Sequence, residues 1–224
     1  MEHKLNVKSV THSFGKKNIL SECSIECKSG EIIGLFGRNG SGKSTLFKIL
    51  FSTLKPDNID AYLDGQPWPE NVVKTVVGYA PQEVMLPKRL KVRNLISMYV
   101  TNPENQDTVF YTHGINDMLN KEVGILSIGQ QRYLQFILIL NLNHYFVLLD
   151  EPFSMVEPLY RDLIKEKLIE YKSHKGFIIT DHYYLDVLEI SDKLMLIKNS
   201  KIVAVSNAED LKAFEYLSDQ SIVY

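Results

Sequence analysis

Cysteine is scarce in this chain: the 224 residues include two, Cys23 and Cys27. From Ser21 to Lys28 they alternate with Ser24, Glu26 and Lys28, a period of two that puts both thiols on one strand face. With no Cys/His pair nearby to complete a metal site, they read as small, buried, reduced hydrophobes. Long apolar runs are also missing. The longest, such as Ile137 to Leu140 and Phe146 to Leu149, fall far short of the roughly 20 residues that a bilayer-spanning helix needs. The start, Met1-Glu2-His3-Lys4-Leu5-Asn6, lacks the basic segment and apolar stretch of a secretory signal. The expected location is therefore the cytoplasm, with any membrane role played from the surface. No run of like charge is present either: Lys+Arg 25 against Asp+Glu 27 gives a net charge of -2. That balance offers no basic stripe for nucleic acid.

What is present suits a water-soluble globular protein, with 45% hydrophobic and 23% charged residues. The length allows one α/β domain with an inserted lobe. Patterning predicts strands at Leu5 to Val10, Leu20 to Cys27, Glu31 to Phe36, Thr75 to Tyr79, Tyr145 to Leu149, Phe177 to Thr180, Leu194 to Lys198 and Lys201 to Val205. The last two join at Asn199-Ser200, and the middle strands read as buried and parallel. Helices are expected from Lys43 to about Phe51, at Leu90 to Val100, Asp107 to Leu119 and Gln130 to Leu142, and in the tail Ala208 to Leu217.

Between the third strand and the first helix lies Gly37-Arg38-Asn39-Gly40-Ser41-Gly42-Lys43-Ser44, a phosphate loop in its proper context. Its glycines let backbone N–H groups turn inward around phosphates, and the helix start adds partial positive charge. Lys43 supplies a compact cation for the β- and γ-phosphates, Ser44 a hard oxygen for Mg²⁺, and Thr45 further support. Tyr145 to Leu149 is an apolar strand that ends in Asp150 and Glu151. The first carboxylate is read as a Mg²⁺ ligand and the second as the group that orients or deprotonates an attacking water.

These two features define only a broad class of nucleotide-binding enzymes. Leu126-Ser127-Ile128-Gly129-Gln130-Gln131-Arg132 is more specific, because it resembles the Leu-Ser-Gly-Gly-Gln signature of ATP-binding cassette (ABC) proteins. Here Ile128 replaces the first glycine of the usual pair, and Gly129 is retained. Serine and glycine open a helix whose hydroxyl, N–H groups and dipole can face an anion. The resemblance spans about Leu5 to Val205 and implies an α/β fold: a P-loop NTPase core with a mostly parallel sheet, an N-terminal antiparallel β subdomain and an inserted α-helical subdomain. As a single domain, residues 1–82 and 143–205 would form the ATP-binding core, 83–142 the helical subdomain and 206–224 a short tail.

The resemblance also implies roles. Gln82 matches the glutamine-loop residue that reaches Mg²⁺ or the attacking water, and His182 the switch histidine that meets the γ-phosphate. Phe14 stands where the family stacks an aromatic ring on adenine. Gly37, Arg38, Asn39, Gly40, Ser41, Gly42, Lys43, Ser44 and Thr45 would bind ATP, and Ser44, Gln82 and Asp150 would hold Mg²⁺. Ser127, Ile128, Gly129 and Gln130 would face the nucleotide of a second cassette, in a homodimer or in a heterodimer with a related chain. Ser154-Met155-Val156-Glu157-Pro158 matches the family's D-loop in part, with Glu157 where aspartate is usual. Arg89 to Leu95 is similar to the stretch that helps form a transporter's docking groove, or is equally a solvated helix face.

The expected protein is the ATPase subunit of an ABC transporter, peripheral on the cytoplasmic face and driving a separate transmembrane permease, with no nucleic-acid partner. A non-transport ABC ATPase acting on DNA or ribosomes is the alternative. A small nucleotide kinase would need more than the arginines 38, 89, 93, 132 and 161 to clamp two phosphate chains. A GTPase would need a base-reading Asn-Lys-x-Asp, and Asn120-Lys121-Glu122-Val123 fails at its last position. The cargo and its direction of travel are not written in this chain.

Overall fold

The computed structural model describes residues 2–68, 73–214 and 216. Its elements run β1 (Lys4–Phe14), β2 (Lys17–Lys28), β3 (Ile32–Phe36), α1 (Lys43–Leu50), β4 (Asn58–Leu63), β5 (Gln66–Pro67), α2 (Val73–Val76), β6 (Val77–Ala80), α3 (Val92–Tyr99), α4 (Pro103–Phe110), α5 (Ile128–Leu140), β7 (Phe146–Asp150), α6 (Pro158–Lys172), β8 (Gly176–Thr180), α7 (Tyr184–Ile190), β9 (Lys193–Lys198), β10 (Lys201–Val205) and α8 (Ala208–Ala213). Short 3₁₀ turns at Asn116–Met118 and Val123–Ile125 link α4 to α5.

Two sheets carry the core. The larger has strand order β10-β9-β3-β8-β7-β6, parallel from β9 to β6, with β10 antiparallel at its edge. Strands β3, β7 and β8 are buried at every position, which is why they read as continuous apolar runs rather than alternating ones. The smaller sheet, β2-β1-β4-β5, is antiparallel, and its apolar face packs with α1 around Leu46, Phe47 and Leu50. Each such fully buried side chain contributes about 1.5–3 kcal/mol. Both cysteines lie in this core, Cys23 opposite Val10 and Cys27 opposite Leu5, free and with thiol pKa raised by burial. Among the described residues no helix is long and apolar enough to cross a membrane.

Several expectations change. The strand predicted at Thr75 to Tyr79 begins at Val77, because residues 73–76 form a helical turn whose last residue, Val76, accepts the Tyr145 N–H through its carbonyl. The helix predicted at Asp107 to Leu119 is displaced: α4 starts at Pro103, after the cap Asn102, whose side chain accepts the Glu104 and Asn105 N–H groups. It ends before Gly114, whose φ of 81° turns the chain. Helices α6 and α7 and strands β4 and β5 were not anticipated. The tail helix is limited to Ala208–Ala213, and the predicted end at Leu217 lies outside the described residues.

Close packing between the sheets centres on Gly176. A Cβ there would come within 2.6 Å of the Lys28 carbonyl oxygen, 2.8 Å of Phe146 and 2.9 Å of Cys27 Sγ. Gly176→Ala should therefore destabilise the protein by about 1–3 kcal/mol in urea unfolding, and an unchanged midpoint would contradict this packing.

Candidate nucleotide site

The C-terminal ends of β3, β7 and β8 deliver their following loops to one edge of the sheet, where open parallel sheets hold ligands. After β3 the chain wraps through Gly37, Gly40 and Gly42, with φ of 156°, 75° and 111°, and Gly42 caps α1 in the left-handed region. Side chains at these positions would be strained, and a Cβ on Gly37 would collide with Ser41 Oγ. Lys43 bends back so that Nζ donates to the Gly37 carbonyl at 2.6 Å and to the Arg38 carbonyl at 3.4 Å. Burial lowers its pKa, opposed by the nearby charges of Asp150 and Glu151.

A cleft of roughly 940 Å³, including its open mouth, faces this loop. It brings together Phe14, the loop from Asn39 to Thr45, Gln82, Glu151 and His182. Phe14 projects from the end of β1 and is 55% exposed, its ring meeting that of the buried His12 edge-on at 4.7 Å. Lys17 and Ile19 also line the cleft and were not singled out from sequence.

Asp150 closes β7 and is buried, which raises its pKa; hydrogen bonds from Ser44 and Tyr79 oppose the rise. The Tyr79 hydroxyl donates to Asp150 Oδ2 at 3.2 Å. The Ser44 hydroxyl and Asp150 carboxylate thus sit side by side, the pairing of hard oxygens that suits a small divalent cation. Gln82 lines the same cleft as Ser44, and its Nε2 donates to Glu151, which leaves its Oε1 free.

Glu151 is the meeting point of the site. Gln82 Nε2 donates to its Oε2 at 2.8 Å, Ser154 Oγ to the same oxygen at 3.2 Å, and His182 Nε2 lies 2.9 Å from Oε1. Its backbone, at φ 57°, is fixed by the Glu151 N–H to Thr180 O bond of 2.7 Å and by Arg132 Nη1 donating to the Glu151 carbonyl at 2.8 Å. Sequence reasoning passed over Arg132, Ser154, Tyr79 and Asp181 as orienting groups, since nothing in their local spacing announces a long-range partner. Asp181, 3% exposed, accepts from the Phe153 N–H at 2.7 Å, the Tyr183 N–H at 3.0 Å and Ser154 Oγ at 3.1 Å.

The signature segment lies elsewhere: none of Ser127, Ile128, Gly129 and Gln130 lines the cleft. Ser127 caps α5 in a reciprocal box, its Oγ accepting the Gln130 N–H at 3.1 Å and its own N–H donating to Gln130 Oε1 at 3.0 Å. Gly129 packs on the 155–157 backbone, where a Cβ would come within 3.2 Å of the Met155 carbonyl oxygen. The apolar groove beside the helical elements is lined by Phe51, Tyr79, Met85, Leu86, Tyr99 and Leu138 among others; no residue of the Arg89 to Leu95 stretch borders it.

A phosphate loop between a strand and a helix, with an acidic strand end beside it, defines a nucleotide-hydrolysing α/β protein of the phosphate-loop class. Residues 20–154 match the family profile for ABC transporters, and the chain belongs to that family. It is 27% identical to the lipopolysaccharide export system ATP-binding protein LptB of Haemophilus influenzae, over 96% of this chain and 98% of that one. It is 25% identical to a probable sulfate/thiosulfate import ATP-binding protein CysA of Chlorella vulgaris, over 92% of each. In fold it is similar to cbiO1 of Clostridium perfringens, part of the transporter complex cbiONQ, with a TM-score of 0.80, 22% identity, and 97% and 92% of the two chains covered. The chain is an ATP-binding subunit of the ABC transporter type, and an ATPase.

Burial lets Asp181 keep its proton to higher pH than it does in the unfolded chain. The native state then binds more protons from about pH 4 upward, so stability falls as pH rises through the folded pKa. Asp181→Asn removes that ionisation. The stability of wild type relative to Asp181→Asn should therefore decline with rising pH across the carboxylate range in urea titrations; a pH-independent difference would contradict the assignment.

Proposed function

We propose that this chain clamps MgATP against a second copy of itself and hydrolyses it to drive a separate transmembrane permease, from the cytoplasmic face. The observation that carries the reading is the grip of Gln82, Ser154 and His182 on one carboxylate, Glu151, at the mouth of the phosphate loop. A carboxylate so held has a fixed orientation, which suits a group that aligns and deprotonates an attacking water. Phe14 offers an open ring face for adenine, and the loop from Gly37 to Thr45 receives the phosphates. Lys43 exchanges the Gly37 carbonyl for phosphate oxygens. Ser44 and Asp150 would hold Mg²⁺, which neutralises phosphate charge when bound. His182, through its bond to Glu151, ties the end of β8 to the end of β7.

Pairing of two copies is supported by what a single copy leaves uncovered. The signature turn is remote from its own cleft, while Ile128 is 49% and Met155 65% exposed beside Gly129. A second nucleotide-loaded cleft laid over this face would bury both side chains and present the start of α5 to a phosphate. The apolar groove that includes Met85, 74% exposed, fits a short amphipathic segment of a permease. Relatives serving export and import systems favour transport over action on DNA or ribosomes and leave cargo and direction open.

Glu151→Gln should lower ATP turnover by at least about 100-fold while retaining nucleotide binding, and should accumulate an ATP-dependent dimer in sedimentation velocity. Turnover near that of wild type would refute the role given to Glu151.

A further inference from the structure

The loop after β8 and the loop after β7 meet a third group that the site does not itself contain. Arg161, on the first turns of α6, sends Nε back to the Val156 carbonyl at 3.0 Å. Its guanidinium carbon lies 3.9 Å from the centre of the Tyr183 ring, and Nη1 is 3.8 Å from Asp186 Oδ2. One planar cation therefore touches the backbone of the 154–157 segment on one side and the residue after His182 on the other. Both ends of this bridge lead to Glu151. Ser154, two residues before Val156, places its single hydroxyl proton between Glu151 and Asp181, 3.2 Å and 3.1 Å from their carboxylate oxygens. Tyr183 is fixed through its N–H to Asp181, and His182 between them meets Glu151. The same 155–157 backbone is the surface on which Gly129 of the signature turn rests.

We infer that Arg161 is a positioning residue, stacking on Tyr183 while it holds the Val156 carbonyl, so that the turn carrying His182 and the segment beneath the signature helix move as one body. The inference rests on the reading of Glu151 and His182 given above. A fork-shaped guanidinium can stack on a ring and donate in its own plane at once, which an ammonium or an apolar side chain cannot do. Arg161 sits away from the nucleotide cleft, so its loss acts on the alignment of the hydrolytic pair and leaves ATP capture intact. A packing role alone predicts a change in thermal midpoint with no selective change in turnover.

The test is a double-mutant cycle on the full chain, with ATP turnover, KM for MgATP, nucleotide binding and thermal midpoint measured for each protein. Arg161→Met keeps the aliphatic stem, Tyr183→Leu removes the ring, and Tyr183→Phe keeps it. The expected result is a fall in kcat of about threefold to tenfold in Arg161→Met and in Tyr183→Leu. KM and binding should stay within about twofold, the double variant should be no slower than the slower single, and Tyr183→Phe should match wild type. Wild-type kcat in Arg161→Met, single effects that multiply in the double variant, or a loss carried by KM would each overturn the inference. Glu151→Gln is assayed alongside. If it is inactive and Arg161→Met is normal, the inference fails alone; if Glu151→Gln still turns over, the reading of the site fails and the inference with it.

Discussion

Strand β7 leaves the sheet through one residue, Glu151, whose backbone occupies the left-handed region that a side chain disfavours. Such a conformation costs on the order of 1 kcal/mol or more and persists where the surroundings fix it. Here the Thr180 carbonyl takes the Glu151 N–H and Arg132 takes its carbonyl, so β8 and α5 together set the backbone. The side chain then meets donors from the loops after β6, β7 and β8. The geometry of one carboxylate thus depends on the order of three adjacent strands and on the helix that carries the signature turn.

Burial and charge are balanced around this point. Lys43 is drawn down by burial and held up by two carboxylates, while Asp150 is raised by burial and held down by Ser44, Tyr79 and Lys43. Asp181 follows the same logic with three donors. A buried carboxylate without them would neutralise itself rather than remain available to order its neighbours. The site is therefore electrostatically prepared before any nucleotide arrives, and Arg161 with Tyr183 extends the same framework to the segment on which the signature turn rests.

Much of this was legible from the chain because burial on both faces leaves unbroken apolar runs, and β3, β7 and β8 are of that kind. The phosphate loop and acidic strand end were legible because few other chemistries need those residues in that order. Elements with mixed surroundings were harder. In β4 only Ala61 is buried, so alternation is faint, and the Asp64-Gly65 turn to β5, with φ of 52° and 77°, passed unread. Helix α6 buries Leu163, Ile164, Leu168 and Tyr171 at helical spacing, but the charged residues between them dilute the stripe. Within the site, Gln82, His182 and Glu151 were named separately. Their convergence, and the supports from Arg132, Ser154 and Asp181, are products of strand order that no local pattern encodes.

The proposed pairing of two copies divides the labour within one chain: its cleft would serve one nucleotide and the start of α5 would serve another. The most direct test places Ser127→Glu in the hydrolysis-deficient Glu151→Gln background and measures ATP binding and association state together. Such pairing predicts unchanged ATP binding per chain, since Ser127 is absent from the cleft lining, with loss of the nucleotide-driven dimer through repulsion of phosphate. A dimer that persists with ATP, or a monomer that has lost ATP itself, would contradict it.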